Sequence, residues 1–283
     1  MRVLITGAGG QVGSELVAAF EAPGHHEVVA LDHATCDVAD RDSVLAAITS
    51  TAPDAVVHPA AWTAVDACEG DPDRAYRVNA LGTRHVAEGA RRVDAPVFYV
   101  STDYVFDGTK ASPYVEWDAT GPRSVYGQSK LGGERELDPG STVIRTSWVC
   151  GFHGNNMVKT ILRLAGQHDT LTFVDDQVGH PSFADDLASM IMRLVVDHRP
   201  GTFHVTNQGA VSWYEFARAV LEAAGHDPER VKPVSTAELP GSYPAPRPAN
   251  SVLDNAALRL SGIALLDDFR VPLKRLVDRL ADG

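Results

Sequence analysis

Tyr126 and Lys130 stand four residues apart in Tyr126-Gly127-Gln128-Ser129-Lys130, downstream of Ser101-Thr102-Asp103. On a helix, residues i and i+4 share a face, so the Lys130 ammonium is expected beneath the Tyr126 phenol, favouring the phenolate and lowering its pKa. A phenol tuned in that way passes a proton to a carbonyl oxygen near neutral pH. Thr102 is expected to supply the hydroxyl that holds that oxygen. The Y-x-x-x-K spacing alone is unspecific, because many surface helices contain it. Its weight comes from its order after Thr102 and after a glycine-rich loop at the start of the chain. Tyr126, Lys130 and Thr102 are therefore the expected catalytic set, and hydride transfer at a carbonyl is the expected chemistry.

The glycine loop reads Gly7-Ala8-Gly9-Gly10-Gln11-Val12-Gly13, directly after an apolar run. Gly7, Gly10 and Gly13 let the backbone turn tightly, approach a diphosphate and pack the following helix on a sheet, with the phosphates at the helix N-terminus. Asp32, about twenty residues on, is placed to accept adenosine ribose hydroxyls and to favour NAD over NADP, unless it only closes a strand-end turn. His33 beside it softens discrimination against a 2′-phosphate, so NADH and NADPH both stay open. Asp37 and Val38 are expected to frame the adenine. Ala60-Ala61-Trp62-Thr63 is expected to run beneath the cofactor, with Val100, Tyr126 and Lys130 completing its lining. For the substrate, Asp103 and Asp66 are expected to accept sugar hydroxyls, Trp148 to form an apolar wall, and Arg247 to pair with a phosphate. Core packing for Trp148 and a surface position for Arg247 are the alternatives.

These residues need a frame that brings loops together. The first half of the chain alternates β-branched runs, over 3–6, 28–31, 55–58, 97–101 and 142–145, with amphipathic stretches over 11–20, 41–49, 72–92 and 126–137. That alternation predicts an α/β fold, a Rossmann-type doubly wound parallel sheet. Asp40, Asp71 and Ser124 are the expected helix start signals. Beyond 145 the pattern loosens into helices over 157–165, 184–197 and 213–224 and strands over 172–174 and 202–206. The expected organisation is a dinucleotide-binding domain over 1–147, with 178–206 returning to it, and a smaller C-terminal substrate-binding lobe over 148–177 and 207–283. The proline-rich run over 239–248 reads as a loop over a cleft.

Composition bounds the partners. A formal net charge of −12 argues against nucleic acid or an anionic membrane, so an anionic ligand must be held locally. With 44% hydrophobic residues and no apolar run of the ~18 residues a membrane helix needs, a soluble protein is expected. The first strand begins almost at Met1, which leaves no room for a signal peptide and implies the cytoplasm. Cys36, Cys68 and Cys150 lack metal-like spacing and read as reduced core residues. The histidines are scattered, so no metal site is expected.

With these residues placed, the chain resembles the dTDP-4-dehydrorhamnose reductases of the extended short-chain dehydrogenase/reductase family. The resemblance is carried by Gly10 to Leu16, Thr63-Ala64-Val65-Asp66, Ser101 to Gly108, Val125 to Lys130, Arg145-Thr146-Ser147-Trp148, Asp176-Gln177-Val178-Gly179 and Arg247 to Ser251. It implies reduction of the C4 ketone of dTDP-4-dehydro-β-L-rhamnose by NADPH or NADH, with Tyr126 as proton donor and Lys130 on the nicotinamide ribose. It further implies that Thr102 orients the carbonyl and that Asp103 and Trp148 contact the sugar. Some relatives form a homodimer with Mg²⁺ at its interface, through a glutamate that corresponds to Glu15. The chain departs from the family at His58-Pro59-Ala60-Ala61-Trp62, where N-A-A-A is usual. Two other readings stay open. One is a reductase or epimerase acting on another nucleotide-deoxysugar, the epimerase retaining tightly bound NAD and needing no reductant; the other is a non-catalytic NADP-binding regulatory subunit, which would have no chemical need for the intact Thr102, Tyr126 and Lys130.

Overall fold

A computed structural model describes residues 1–22, 24–239 and 243–282. Its centre is a six-stranded parallel sheet. Five of the strands come from the first half of the chain: β1 (Arg2–Thr6), β2 (Glu27–Leu31), β3 (Ala55–His58), β4 (Val97–Thr102) and β5 (Thr142–Thr146). The sixth, Gly201–His204, pairs in parallel with β5 and gives the order 201–204, β5, β4, β3, β1, β2. Every residue of β3 and β4 is buried, as strands covered on both faces require. Side chains alternate between the faces. Val3, Ile5, Ala55 and Val57 pack with α1 (Gln11–Glu21) and the helix Ala184–Val196. Leu4 and Val56 pack with Val44 and Ile48 of α2 (Arg41–Thr51) and with Val86 and Ala90 on the opposite face. The expected doubly wound architecture is therefore present.

The start signals act as read. Asp40 caps α2 by accepting from the amides of Asp42 and Ser43, Asp71 accepts from the Arg74 amide at 3.0 Å, and Ser124 accepts from the Gly127 amide at 3.1 Å. The helix expected over 72–92 is instead broken in character. Behind a short helix, α3 (Val65–Gly70), it runs as α4 (Pro72–Tyr76), a π-helical turn at Arg77–Leu81, and α5 (Gly82–Arg92). The π turn carries the buried Asn79, whose side chain reaches away from the helix to two other elements. The helix carrying the Y-x-x-x-K pair, α6 (Val125–Glu134), ends three residues earlier than expected.

A second core lies beyond the sheet. Cys150, Ile161, Phe183, Phe216, Leu221, Phe269 and Leu276 pack together there. Leu258 and Ile263 fall in the stretch expected to belong wholly to the smaller lobe, yet they pack with the core of the sheet. Among the elements not anticipated are a strand and a helix. The strand Val231–Val234 pairs in parallel with Leu171–Val174, and the helix Arg270–Asp282 buries Leu273, Leu276 and Val277. Of the expected 239–248 loop, residues 240–242 lie outside the described residues. The remainder crosses back to the first half of the chain, where the Ala245 amide donates to Asp66 Oδ1 at 3.2 Å.

Candidate active site

A cavity of about 970 Å³ opens at the carboxyl ends of β1, β3, β4 and β5. Ligands of open α/β sheets bind there, outside the strand ends where the order of connection reverses. Every residue expected to touch a cofactor lines it: Gly7, Gly10, Gln11, Val12, Gly13, Asp32, Asp37, Val38, Ala60, Ala61, Trp62, Thr63, Val100, Tyr126 and Lys130. Thr102, Asp103 and Trp148 line it as well.

The glycine loop can hold a diphosphate because of two backbone requirements. Gly7 has φ of +59°, the left-handed region. A Cβ on Gly13 would lie 2.1 Å from the Gly7 carbonyl oxygen, so only glycine lets the first turn of α1 close onto the loop. At the adenine end, Asp32 is exposed, accepts from the Thr35 amide at 2.9 Å and from its hydroxyl at 2.8 Å, and is held below its ordinary pKa chiefly by the Thr35 hydroxyl. His33 lies 3.9 Å from Asp37. This cradle, the adjoining carboxylate and a cavity of this volume fit a nicotinamide dinucleotide.

At the inner end, β4 delivers Thr102 and Asp103, both buried. The Thr102 hydroxyl donates to Asp103 Oδ1 at 3.0 Å and accepts from the Tyr104 amide at 3.2 Å. Asp103 Oδ2 is buried and has no hydrogen-bond partner among the described residues. Burial raises the Asp103 carboxyl to about 6, with the Ser251 and Thr102 hydroxyls pulling the other way. A buried carboxylate oxygen without a donor is an acceptor waiting for one.

Tyr126 differs from expectation. Its phenol is pushed up, not down, because burial disfavours the phenolate; the Thr102 hydroxyl opposes this, and Asp103, Tyr104 and Cys68 add to it. Lys130 is committed elsewhere. Its Nζ donates to the Val100 carbonyl at 2.7 Å and lies 4.0 Å over the Tyr99 ring. Burial lowers that ammonium to about 7, against the pull of Glu134. The pair thus shares a helix and a cavity, but desolvation outweighs the expected electrostatic tuning. A neutral phenol is the form that can donate a proton.

Asp66 and Arg247 also differ. They do not line the cavity but hold each other in a bidentate pair, at 2.8 and 2.7 Å, and Arg247 lies over the Tyr243 ring. Trp148 adopts φ of +46° and stacks on Trp213, with ring centroids 3.5 Å apart and planes within 9°. Gly179 lies against the indole, where a Cβ would approach to 2.7 Å. Trp213, also in the cavity wall, was not anticipated. Neither was the buried Glu134–Arg145 pair, at 2.7 Å, which ties α6 to β5 while Ser101 donates to the same carboxylate. His58, fully buried, bridges the hydroxyls of Thr6 and Thr83 at 2.7 and 3.2 Å and is kept neutral, chiefly by burial.

Glu15, the residue associated with Mg²⁺ in the resemblance, pairs with Arg279 at 3.3 Å and lies 3.8 Å from His153. No group of three or more His, Cys, Asp or Glu side chains suited to a metal ion occurs among the described residues. No helix among them is long and apolar enough to cross a membrane.

The model of the family described as the RmlD substrate binding domain matches residues 1–282. A dTDP-4-dehydrorhamnose reductase of Aggregatibacter actinomycetemcomitans is 43% identical over 265 residues, covering 89% of this chain and 90% of that one. The spore coat polysaccharide biosynthesis protein SpsK of Bacillus subtilis is 43% identical over 265 residues, covering 93% and 92%. Among solved structures, the dTDP-4-dehydrorhamnose reductase of Bacillus anthracis in complex with NADP has a TM-score of 0.94 at 36% identity, covering 98% of this chain and 99% of that one.

Proposed function

The chain belongs to the RmlD substrate binding domain family, and on that premise we propose that it reduces the C4 ketone of dTDP-4-dehydro-β-L-rhamnose to dTDP-L-rhamnose. The observation that carries the reading is a single cavity with a glycine cradle at one end and Thr102, Asp103, Tyr126 and Lys130 at the other. A reduced nicotinamide dinucleotide, when bound, supplies the hydride.

The residues of the chain do the rest. Gly7, Gly10 and Gly13 allow backbone amides to face a diphosphate, and Asp32 accepts ribose hydroxyls. Asp32 is exposed and adjoins His33, so NADPH and NADH are both accommodated. Thr102 orients the ketone by turning its hydroxyl from Asp103 to the carbonyl oxygen. Asp103, with one oxygen unpartnered, accepts a sugar hydroxyl, and Trp148 packs on a face of the ring. During reduction at C4 the Tyr126 phenol would give its proton to the ketone oxygen, so the ketone becomes a secondary alcohol and the tyrosine a phenolate. Lys130, with one of its three donors held by the Val100 carbonyl, would offer the others to that phenolate and to the ribose of a bound dinucleotide. The 1–147 segment holds the dinucleotide, and the second core around Phe216 carries the wall that meets the sugar.

Tyr126→Phe removes the transferable proton and leaves the ring. Its kcat is expected to fall by about 10²- to 10⁴-fold, with the Kd for NADP⁺ unchanged. Turnover near that of the wild type would overturn the role of Tyr126.

A further inference from the structure

Arg74 of α4 is the one arginine that lines the cavity among the described residues, and its guanidinium lies 4.4 Å from the centroid of the Trp62 ring. The seat is fixed from below. The Trp62 amide donates to Asn79 Oδ1 at 2.8 Å, and Asn79 Nδ2 donates to the Trp62 carbonyl at 3.1 Å and to the Ser129 hydroxyl of α6 at 2.9 Å. Trp62 packs in the cluster formed by Cys68, Ala75 and Tyr126, which puts the seat at the reacting end of the cavity.

The neighbouring carboxylates do not claim this guanidinium. Asp71 is turned to the Arg74 amide, as a helix cap, and Glu69 accepts from the Val125 amide at 2.8 Å. No ion pair of Arg74 occurs among the described residues. The other cations near the reacting end are engaged, since Lys130 is bonded to the Val100 carbonyl and Arg247 is neutralised by Asp66. A chain of net charge −12 has no long-range attraction for an anion. The proposed reaction nevertheless brings two diphosphates into one cavity, and the glycine cradle serves one of them.

We propose that Arg74, seated on Trp62, binds a ligand diphosphate at the reacting end of the cavity. Its planar fork matches two phosphate oxygens, and stacking on an indole face holds the fork before the ligand arrives. The inference rests on the reading of the cavity as a dinucleotide and nucleotide-sugar site. The diphosphate belongs either to the nucleotide sugar or to the dinucleotide.

Direct titration separates these sources without any turnover. Wild type, Arg74→Ala and Arg74→Lys are titrated calorimetrically with NADP⁺ and, separately, with dTDP, at low and high salt. Arg74→Ala is expected to weaken one of the two by about tenfold or more, as loss of a charge-assisted hydrogen-bonded pair does. Loss on dTDP assigns the nucleotide sugar; loss on NADP⁺ assigns the dinucleotide. Arg74→Lys should recover only part of the loss, since an ammonium lacks the fork, and the difference should shrink at high salt. Arg74→Ala that binds both ligands as the wild type does would overturn the proposal. Wild-type protein that binds NADP⁺ but no nucleoside diphosphate would contradict the proposed function, while the NADP⁺ titration would still decide the role of Arg74.

Discussion

Replacing Asp103 with Asn should make the protein more stable and less active, in a manner set by pH. The carboxyl is 2% exposed, and burial raises it from 3.8 to about 6. A change of that size disfavours the charged form by ~3 kcal/mol. The folded protein therefore binds this proton more tightly than the unfolded chain does. Its stability falls as pH rises from about 4 to about 6 and is flat above, the penalty being fully present at neutral pH. Asn keeps a carbonyl oxygen for the Thr102 hydroxyl and carries no charge. Some of the gain is offset because its amide group must find an acceptor. A net gain of about 1–3 kcal/mol at pH 7.5 is expected, or ~2–5 °C in Tm for a chain of this size. The gap should close towards pH 4. Thermal unfolding of both proteins from pH 4 to pH 8, with kcat/KM at pH 7.5, tests this. Activity should fall by about tenfold or more, because the substrate loses a charged acceptor. A Tm for Asp103→Asn equal to or below that of the wild type at pH 7.5, or a gap independent of pH, would refute the reasoning.

Other perturbations probe the supports of the site. Trp213→Ala should abolish the exciton couplet of the stacked indoles in the far-ultraviolet circular dichroism and raise the KM for the sugar nucleotide by roughly three- to tenfold, in line with the worth of an aromatic pair; Trp213→Phe should restore most of the KM. Glu134→Ala leaves the buried Arg145 guanidinium without its anion, and urea unfolding should show a loss of about 3–5 kcal/mol.

The sheet was legible because buried parallel strands are short β-branched runs bounded by turn residues, and β3 begins and ends where its Ala-Val-Val-His run does. The caps at Asp40, Asp71 and Ser124 were legible because each side chain satisfies a neighbouring amide, a local transaction. The π turn was not, because the sequence of 72–92 is uniformly helical in pattern. The turn brings Asn79 to a partner 17 residues back, and no local spacing encodes that contact. The helix Arg270–Asp282 did carry a signal, with Leu273, Leu276, Val277 and Leu280 at helical spacing behind a proline that the first turn tolerates.

Within the cavity, the residues on strand ends and the glycine loop were legible, since their positions follow from the fold. Charges away from the strand ends were not. Asp66 and Arg247 were each read as facing a ligand, yet opposite charges from distant segments meet each other. Arg74, on a short helix with acidic neighbours, reads as a solvated surface residue until the fold shows those carboxylates turned to backbone amides. The Tyr126 phenol illustrates the same limit. Spacing predicts proximity to Lys130, whereas the pKa follows from burial, which depends on the whole fold.

The most direct measurement is the oxidation of NADPH, and of NADH, followed by absorbance on adding freshly generated dTDP-4-dehydro-β-L-rhamnose, with the C4 configuration of the product read by NMR. Rapid oxidation that yields the rhamnose configuration is the predicted result. No oxidation by protein shown to bind the dinucleotide, or a product of opposite configuration at C4, would contradict it.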